Sequence, residues 1–141
     1  MKLTRYTDYA LRVIIYLGSR DDGLSSIAEI SALYDISRNN LMKVVQDLAH
    51  LGYIETIRGR AGGIRLGRPA REINLGTLIR HTEKSLAMVD CSACVIAPVC
   101  GLPGVLNEAT QAFFAVLDNY TLADLLVQRR HFASIPIFSD L

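Results

Sequence analysis

Every cysteine of the chain lies within one stretch of ten residues, at Cys91, Cys94 and Cys100. Thiolates are favoured ligands of zinc and of iron–sulfur clusters. The prolines and glycines between Pro98 and Gly104 interrupt regular structure, so the sulfur atoms can converge on one point. An odd number of cysteines argues against a self-contained disulfide framework. Because tetrahedral zinc and iron–sulfur clusters take four ligands, the fourth ligand must come from elsewhere.

Two other chemistries are compatible with thiols at this spacing. A C-x2-C pair such as Cys91 and Cys94 also suits zinc. The same pair could serve as the redox dithiol of an oxidoreductase, but that motif normally begins a helix in a β-α-β unit, which this sequence lacks. Since no Ser, His and Asp constellation and no phosphate-binding loop is apparent either, we expect that the protein is not an enzyme.

Length and composition indicate one domain with a real hydrophobic core. The chain has 141 residues, and 50% of them are hydrophobic, which suffices to bury an apolar interior. No run approaches the roughly 18 consecutive apolar residues of a membrane span, and the N-terminus leads into no signal-peptide core. We therefore expect a cytoplasmic protein with no membrane partner, in a compartment that keeps thiols reduced.

Basic residues are concentrated between residues 37 and 71. This segment holds seven Lys or Arg residues against two acidic residues, although the formal net charge of the chain is only +1. Most charged runs are simply solvated surface. This run coincides with a motif that explains it, so we interpret it as the electrostatic footprint of nucleic-acid binding.

Helical periodicity predicts three helices in the first 51 residues. The first covers residues 4–19 with Thr4 or Thr7 as its N-cap, and the second begins after Ser25 or Ser26 and runs to about residue 33. After a short break, Ser37 caps a third helix that runs to about residue 51. A short helix, a tight turn and a second helix of this kind are typical of a helix-turn-helix.

The third helix has the residues with which such a motif contacts DNA. Arg38, Asn39, Asn40 and Lys43 lie in its first two turns, and the start of the second helix of a helix-turn-helix contacts base edges. Arg and Asn make bidentate contacts to guanine and adenine, while Ser37 and the exposed amides of the helix start suit a phosphate. The alternative is a solvated helix start in which both asparagines act as local capping groups.

A hairpin follows directly. Residues 53–57 and 64–66 have the pattern of two strands, and the glycines between them permit a tight turn. Such a wing would place its arginines along a groove or along the DNA backbone. The residues predicted to contact DNA are therefore Ser37, Arg38, Asn39, Asn40, Lys43, Arg58, Arg60, Gly62, Gly63 and Arg65.

Beyond the wing we predict a short helix over residues 73–82 and, after the cysteine loop, a longer helix over residues 103–117 with a proline in its first turn. The longer helix has more apolar surface than one small domain can cover, which predicts a two-fold dimer on palindromic DNA. A short helix capped by Thr121 and a loose tail follow.

The fold class is thus mainly α with a small β-wing, a winged helix-turn-helix domain plus a long dimerisation helix. The predicted boundaries are 1–82 for the DNA-binding domain, 83–102 for the cysteine loop, 103–128 for the dimerisation helix with the short helix after it, and 129–141 for the tail.

With these parts placed, the chain resembles the Rrf2 family of winged-helix iron–sulfur regulators over nearly its full length, and most of all the members that sense nitric oxide. One departure is that family members generally have more residues between the first two cysteines. The segments that carry the resemblance are residues 3–12, 37–40, 58–67, the cysteine loop and residues 117–125.

The resemblance implies a homodimeric repressor that binds a promoter palindrome and releases it when a [2Fe-2S] or [4Fe-4S] cluster is nitrosylated or lost. It implies Cys91, Cys94 and Cys100 as ligands, with Asp8 of the partner subunit as the fourth; the alternative for Asp8 is an ion pair with Arg12. An iron- or redox-responsive regulator of the same fold, or a zinc- or thiol-dependent winged-helix repressor, remains the alternative function.

Overall fold

The computed structural model describes residues 2–20 and 23–127; the predicted tail over residues 129–141 lies outside this range. The described part is mainly helical with one two-stranded sheet, so the predicted fold class is confirmed. The helices are α1 (Arg5–Ser19), α2 (Ile27–Tyr34), α3 (Arg38–His50), α4 (Leu75–Thr82), α5 (Leu102–Leu117) and α6 (Leu122–Leu126), the strands are β1 (Ile54–Ile57) and β2 (Gly63–Leu66), and short 3-10 turns cover Ala70–Glu72 and Ala97–Val99.

Three helix starts are fixed by the side chains expected from the sequence. The Thr4 hydroxyl accepts a hydrogen bond from the backbone N–H of Thr7, and Ser26 forms a capping box with Glu29. The Ser37 hydroxyl accepts from the N–H of Asn40 at 3.3 Å. Each of these caps satisfies an N–H group that the first helical turn would otherwise leave unpaired.

The turn between α2 and α3 is closed by two hydrogen bonds between Ser31 and Ile36. Asp35 adopts a left-handed conformation with φ of 52°, a conformation that Asp tolerates better than most residues. The Ser31 hydroxyl then donates to the Ile36 carbonyl at 2.6 Å, and the Ile36 N–H donates to the Ser31 carbonyl at 3.2 Å. This tight turn sets the direction in which α3 leaves α2.

The wing is an antiparallel hairpin in which Ile54 pairs with Leu66 and Ile57 with Gly63. A third short segment extends the sheet, because Ser25 and Ile64 exchange backbone hydrogen bonds of 2.9 and 2.8 Å. The sequence pattern did not predict this contact. It anchors the wing to the start of α2.

The core lies between α1, α3, α4 and the wing, and the short helix α6 closes it. The Leu122 N–H donates to the Ile73 carbonyl at 2.8 Å, and the Leu75 N–H donates to the Tyr120 carbonyl at 3.0 Å. The fully buried side chains that form its centre are Ala10, Val13, Ile14, Ile30, Leu41, Leu48, Ile73, Leu78 and Leu122.

One predicted boundary is wrong. The helix expected over residues 73–82 begins at Leu75, because the Asn74 side chain accepts a hydrogen bond from the Thr77 N–H at 2.9 Å and so acts as the N-cap. Ile73 remains extended, with its side chain in the core. Local capping by Asn therefore outweighed the apolar periodicity that seemed to start two residues earlier.

Helix α5 joins the rest of the chain through a small contact. The Arg80 guanidinium of α4 donates twice to the Asp118 carboxylate, at 2.6 and 2.8 Å, and lies 4.3 Å from the centre of the Phe114 ring. Phe114 is the one buried side chain of α5, while Val105 and Val116 are 62% and 59% exposed. The apolar stripe of this helix is thus largely uncovered in a single chain.

Candidate nucleic-acid interface and cysteine loop

Helix α3 separates a buried stripe from an exposed one. Leu41, Val44, Val45 and Leu48 face the core, whereas Ser37, Arg38, Asn39, Asn40 and Lys43 are all exposed at or near the start of the helix. The structure therefore brings the five predicted DNA-contacting residues of this helix together on the surface of one element.

Most of these side chains are available for a ligand. Within the described residues, the side chains of Arg38, Asn39 and Lys43 form no hydrogen bond or ion pair. The Ser37 hydroxyl is different, because it already accepts the Asn40 N–H as the N-cap. Two cationic side chains and one amide side chain are therefore unpaired within the described chain near the N-terminus of α3, where the exposed N–H groups favour anions.

The arginines of the wing fall into two groups. Arg58 and Arg60 are exposed and have no hydrogen-bond partner within the part of the chain that the structure describes. Arg65 instead forms an ion pair with Glu55 across the two strands, with 2.8 Å between its Nε and the carboxylate. The tip of the hairpin therefore has the more accessible positive charge.

The hairpin itself requires glycine at positions 62 and 63. A Cβ atom at Gly62 would lie 2.2 Å from the Ile57 carbonyl oxygen, and one at Gly63 would lie 2.6 Å from the Ser25 carbonyl oxygen. Both distances are far below van der Waals contact. These two glycines are required for the hairpin and for its pairing with Ser25, whatever they contact in a complex.

The cysteine loop is open to solvent. All three cysteines are free thiols; Cys94 is exposed, and Cys91 and Cys100 are half-buried. Backbone hydrogen bonds of 3.2 to 3.4 Å link Cys94 to Cys91, Ala97 to Cys94 and Cys100 to Ala97, so the loop consists of successive three-residue turns. The cysteines are spaced in multiples of three, and side chains three residues apart superpose in turns of this kind.

Three soft thiols fit a metal centre in donor chemistry. However, no group of three or more His, Cys, Asp or Glu side chains that could hold a metal ion exists within residues 2–20 and 23–127. The predicted ligand set is therefore not assembled inside one chain. The chain supplies donors of a suitable type in one loop.

Asp8, the predicted fourth ligand, lies in the first turn of α1 and has another partner in the single chain. Its carboxylate is 2.9 Å from the Nε of Arg12, and both side chains are nearly half exposed. Arg12 also lies 5.6 Å from the centre of the Tyr34 ring. The structure thus shows the ion pair that the sequence offered as the alternative for Asp8.

Two further links hold the start of α1, and neither could be predicted. The Tyr6 hydroxyl donates a hydrogen bond to the carboxylate of Asp47 on α3. The Glu83 carboxylate accepts hydrogen bonds from the N–H and the hydroxyl of Thr4, at 2.8 and 3.0 Å. Burial, followed by the hydrogen bond to Asp47, raises the pKa of Tyr6 well above its ordinary value. Sequence periodicity indicates which face a tyrosine lies on, but not which distant carboxylate it meets.

None of the helices in the described residues is both long enough and apolar enough to span a membrane.

Comparisons with known proteins agree on one class. The family model Rrf2, described as an iron-dependent transcriptional regulator, matches residues 3–128. The HTH-type transcriptional regulator NsrR of Bacillus subtilis strain 168 is 55% identical over 132 residues, which cover 89% of this chain and 90% of that protein.

Two solved structures are similar over most of the chain. CymR, the global cysteine regulator of B. subtilis, has a TM-score of 0.73 at 28% identity, covering 89% of this chain and 95% of that one. IscR of T. potens has a TM-score of 0.73 at 26% identity, covering 89% and 86%.

Proposed function

The chain belongs to the Rrf2 family of iron-dependent transcriptional regulators, and from this premise we propose a repressor whose affinity for promoter DNA depends on an iron–sulfur cluster. The family resemblance inferred from the motifs is confirmed. The protein is a transcriptional regulator similar to NsrR, and its relatives are regulators, not enzymes. We further propose that it acts in the cytoplasm.

One observation supports DNA binding most strongly. The start of α3 presents Arg38, Asn39 and Lys43 without any partner in the described chain, on a helix-turn-helix that is otherwise firmly packed. Free guanidinium and amide groups can contact base edges in the major groove. Arg58 and Arg60 at the tip of the wing add positive charge for a neighbouring groove or for the backbone.

We propose that two copies bind a palindrome. The apolar stripe of α5, which includes Val105 and Val116, is exposed in the single chain. A contiguous exposed apolar surface often marks an interface. A two-fold dimer would present two α3 helices to two half-sites. In this proposal residues 1–82 contact DNA, residues 83–102 hold the cluster and residues 103–128 form the dimer.

The residues proposed to hold the cluster are Cys91, Cys94 and Cys100 of one copy and Asp8 of the other. When bound, the cluster would supply an iron centre that reacts with nitric oxide. A carboxylate is a hard ligand beside three soft thiolates, so its position would be the exchangeable one. Either a two-iron or a four-iron cluster is compatible with this donor set.

Asp8 would then have two competing partners. In the single chain its carboxylate binds Arg12, and an exposed ion pair of this kind contributes only about 0 to 1 kcal/mol. A modest difference in binding free energy therefore suffices to move Asp8 from one partner to the other and to shift the population of α1 positions. Because α1 also contacts α3 through Tyr6 and Asp47, a shift in the position of α1 would alter the position of the DNA-binding helix.

Protein purified without oxygen provides the test. Its absorption and native mass spectra identify the metal and the nuclearity, and an electrophoretic titration compares cluster-loaded with cluster-free protein on the same promoter. We expect the loaded form to bind more tightly. Equal affinity of the two forms would remove the sensing half of the proposal and leave a repressor of unregulated affinity.

An iron-responsive regulator is the second candidate, because the matching family model is described as an iron-dependent transcriptional regulator. Exposure of the loaded protein to stoichiometric nitric oxide, and in a separate sample to an iron chelator, distinguishes the two. Release of DNA by nitric oxide at intact total iron favours nitric oxide as the signal. Release by the chelator alone favours iron supply.

A further inference from the structure

The exposed face of α3 has one feature that DNA binding does not explain. Asp47 is the single acidic residue of this helix, whose other exposed polar side chains are basic or amide groups. Its carboxylate is exposed and accepts a hydrogen bond from the hydroxyl of Tyr6, a residue of α1. A negative charge on a DNA-binding face opposes binding, because it repels the phosphates and can pair with a neighbouring cation.

Asp47 lies four residues after Lys43 on the same helix, and side chains at this spacing are neighbours on a helix surface. Tyr6, Lys43 and Asp47 line one groove of about 730 Å³ between α3, the start of α1 and the end of α4. An ion pair between Lys43 and Asp47 is possible at this spacing, although the acid-first order is the more favourable one. It is not formed within the described residues, where the Asp47 carboxylate accepts a hydrogen bond from Tyr6.

We propose that Tyr6 is a positioning residue for DNA binding: by holding the Asp47 carboxylate, it keeps the Lys43 ammonium group free to contact a DNA phosphate. This inference rests on the proposed DNA-binding function and adds a residue outside the DNA-contacting set. Tyr6 need not touch DNA itself. Its hydroxyl competes with Lys43 for the same carboxylate.

The surroundings of the groove support this division of roles. The other groups that can carry positive charge there are His50, His81 and Lys84, and the nearby Glu83 carboxylate is engaged by Thr4. Asp47 is therefore the acidic group within reach of Lys43 on this face. A tyrosine hydroxyl keeps its proton at neutral pH and can donate a hydrogen bond, and burial and Asp47 raise the pKa of Tyr6 further.

The substitution Tyr6→Phe removes the donor and keeps the ring. We expect Asp47 then to pair with Lys43 in part of the molecules and so to compete with one phosphate contact. Affinity for a labelled random-sequence DNA duplex is measured by fluorescence anisotropy at several salt concentrations. The slope of log affinity against log salt should become shallower by up to about 1, so that the advantage of wild type shrinks by up to about fourfold between 50 and 200 mM salt.

Three companion variants make this result specific. Tyr6→Phe combined with Asp47→Asn should restore the wild-type slope, because no carboxylate is left to capture Lys43. Lys43→Ala should lower the slope by at least as much as Tyr6→Phe, and adding Tyr6→Phe to Lys43→Ala should cause no further loss. Tyr9→Phe is the matched control, since Tyr9 is on the same helix and its hydroxyl forms no hydrogen bond within the described chain.

The possible outcomes are distinct. An unchanged slope for Tyr6→Phe, or a lowered slope that Asp47→Asn does not restore, overturns the role of Tyr6 while leaving DNA binding intact. A wild-type slope near zero instead removes the proposed function and this inference with it. Urea unfolding of each variant separates a local effect from a loss of fold, and Asp47→Asn alone, which needs no tyrosine, should keep the wild-type slope.

Discussion

Residues 5–82 and residues 83–117 differ sharply in how completely their apolar side chains are buried within one chain. The first region packs α1, α3, α4 and the wing around a core whose central side chains have no exposed surface. In the second region, all of which the structure describes, Phe114 is the one buried side chain. Val95 and Val99 of the cysteine loop are 94% and 87% exposed.

This contrast indicates which parts of the protein are complete in one copy. The first region has its helix caps and its hairpin pairing within itself, and α6 of the same chain closes its core. One copy of the chain therefore covers most of the apolar side chains of this region. The second region combines accessible thiols, which can react or bind metal, with exposed aliphatic side chains, which are typical of interaction surfaces.

The largest expected effect is the loss of metal from the loop. Cys100→Ala removes one of three thiol ligands, and we expect the iron content of anaerobically purified protein to fall at least about tenfold, by analogy with the cost of weakening metal ligation. In the metal-free state its free energy of unfolding should change by less than about 0.5 kcal/mol, because the loop makes few contacts. Iron analysis and urea unfolding measure both quantities.

Ser92→Ala is the control for this variant, because Ser92 lies in the same exposed loop without a thiol. It should retain iron. Full iron content in Cys100→Ala, or a large loss of stability in its metal-free form, would contradict the assignment of the loop as an open ligand segment.

A stability change of several kilocalories is expected next, at the core of the first region. Leu48 on α3 is fully buried, and Leu→Ala at such sites costs about 2 to 5 kcal/mol through lost burial and the cavity left behind. Val99→Ala, in the loop, should cost less than about 0.5 kcal/mol. Urea unfolding of metal-free protein measures both, and similar costs for the two variants would remove the contrast between the regions.

The first region could be predicted well from the sequence, because its signals are local. Ser26, Ser37 and the glycines of the wing each determine the backbone within a few residues of themselves, and the helices and strands lie close to where periodicity placed them. The one wrong boundary, the start of α4, also has a local cause in the Asn74 cap. The contacts that the sequence did not predict involve a distant segment. The bridge from Ser25 to Ile64 and the return of α6 to Ile73 depend on residues far apart in sequence.

The next effect concerns the exposed stripe of α5. Val116 is 59% exposed in the single chain, and if it lies in a dimer interface, Val116→Glu would bury a charge there. We expect dimerisation to weaken about tenfold or more, which corresponds to at least about 1.4 kcal/mol. Sedimentation equilibrium over a range of protein concentrations measures the dissociation constant.

Ala115→Glu is the matched control for Val116→Glu, because Ala115 is exposed on the same helix but outside the apolar stripe. It should leave the dissociation constant unchanged. If both variants dissociate equally, the effect is one of net charge and not of the stripe. If neither does, α5 is not the dimer interface.

The candidate site could be predicted in composition but not in assembly. The residue types and spacings of the cysteines, of the start of α3 and of the wing arginines are visible in the sequence. Whether Arg65 is free or paired with Glu55, and whether Asp47 meets Lys43 or Tyr6, depends on which side chains the fold brings together. These pairings decide how much positive charge each surface offers.

The smallest expected effect lies at the joint between the two regions, where Arg80 binds Asp118. This hydrogen bond lowers the pKa of Asp118 below its ordinary value of 3.8. A carboxyl group whose pKa is depressed on folding adds stability above its unfolded pKa and loses it as pH falls through the folded value. Asp118→Asn should therefore lower the thermal unfolding midpoint slightly at neutral pH, and the difference from wild type should shrink as the pH falls below the ordinary carboxyl pKa of 3.8 and Asp118 becomes protonated.

Thermal unfolding at a series of pH values, at low and at high salt, measures this difference. The pair is exposed, so the effect should be small and should shrink further when salt screens it. Glu108→Gln is the control, since Glu108 is on α5 and its carboxylate forms no hydrogen bond in the described part of the chain. A difference between Asp118→Asn and wild type that persists unchanged in acid would mean that Asp118 holds α5 by packing, and that the joint is not electrostatic.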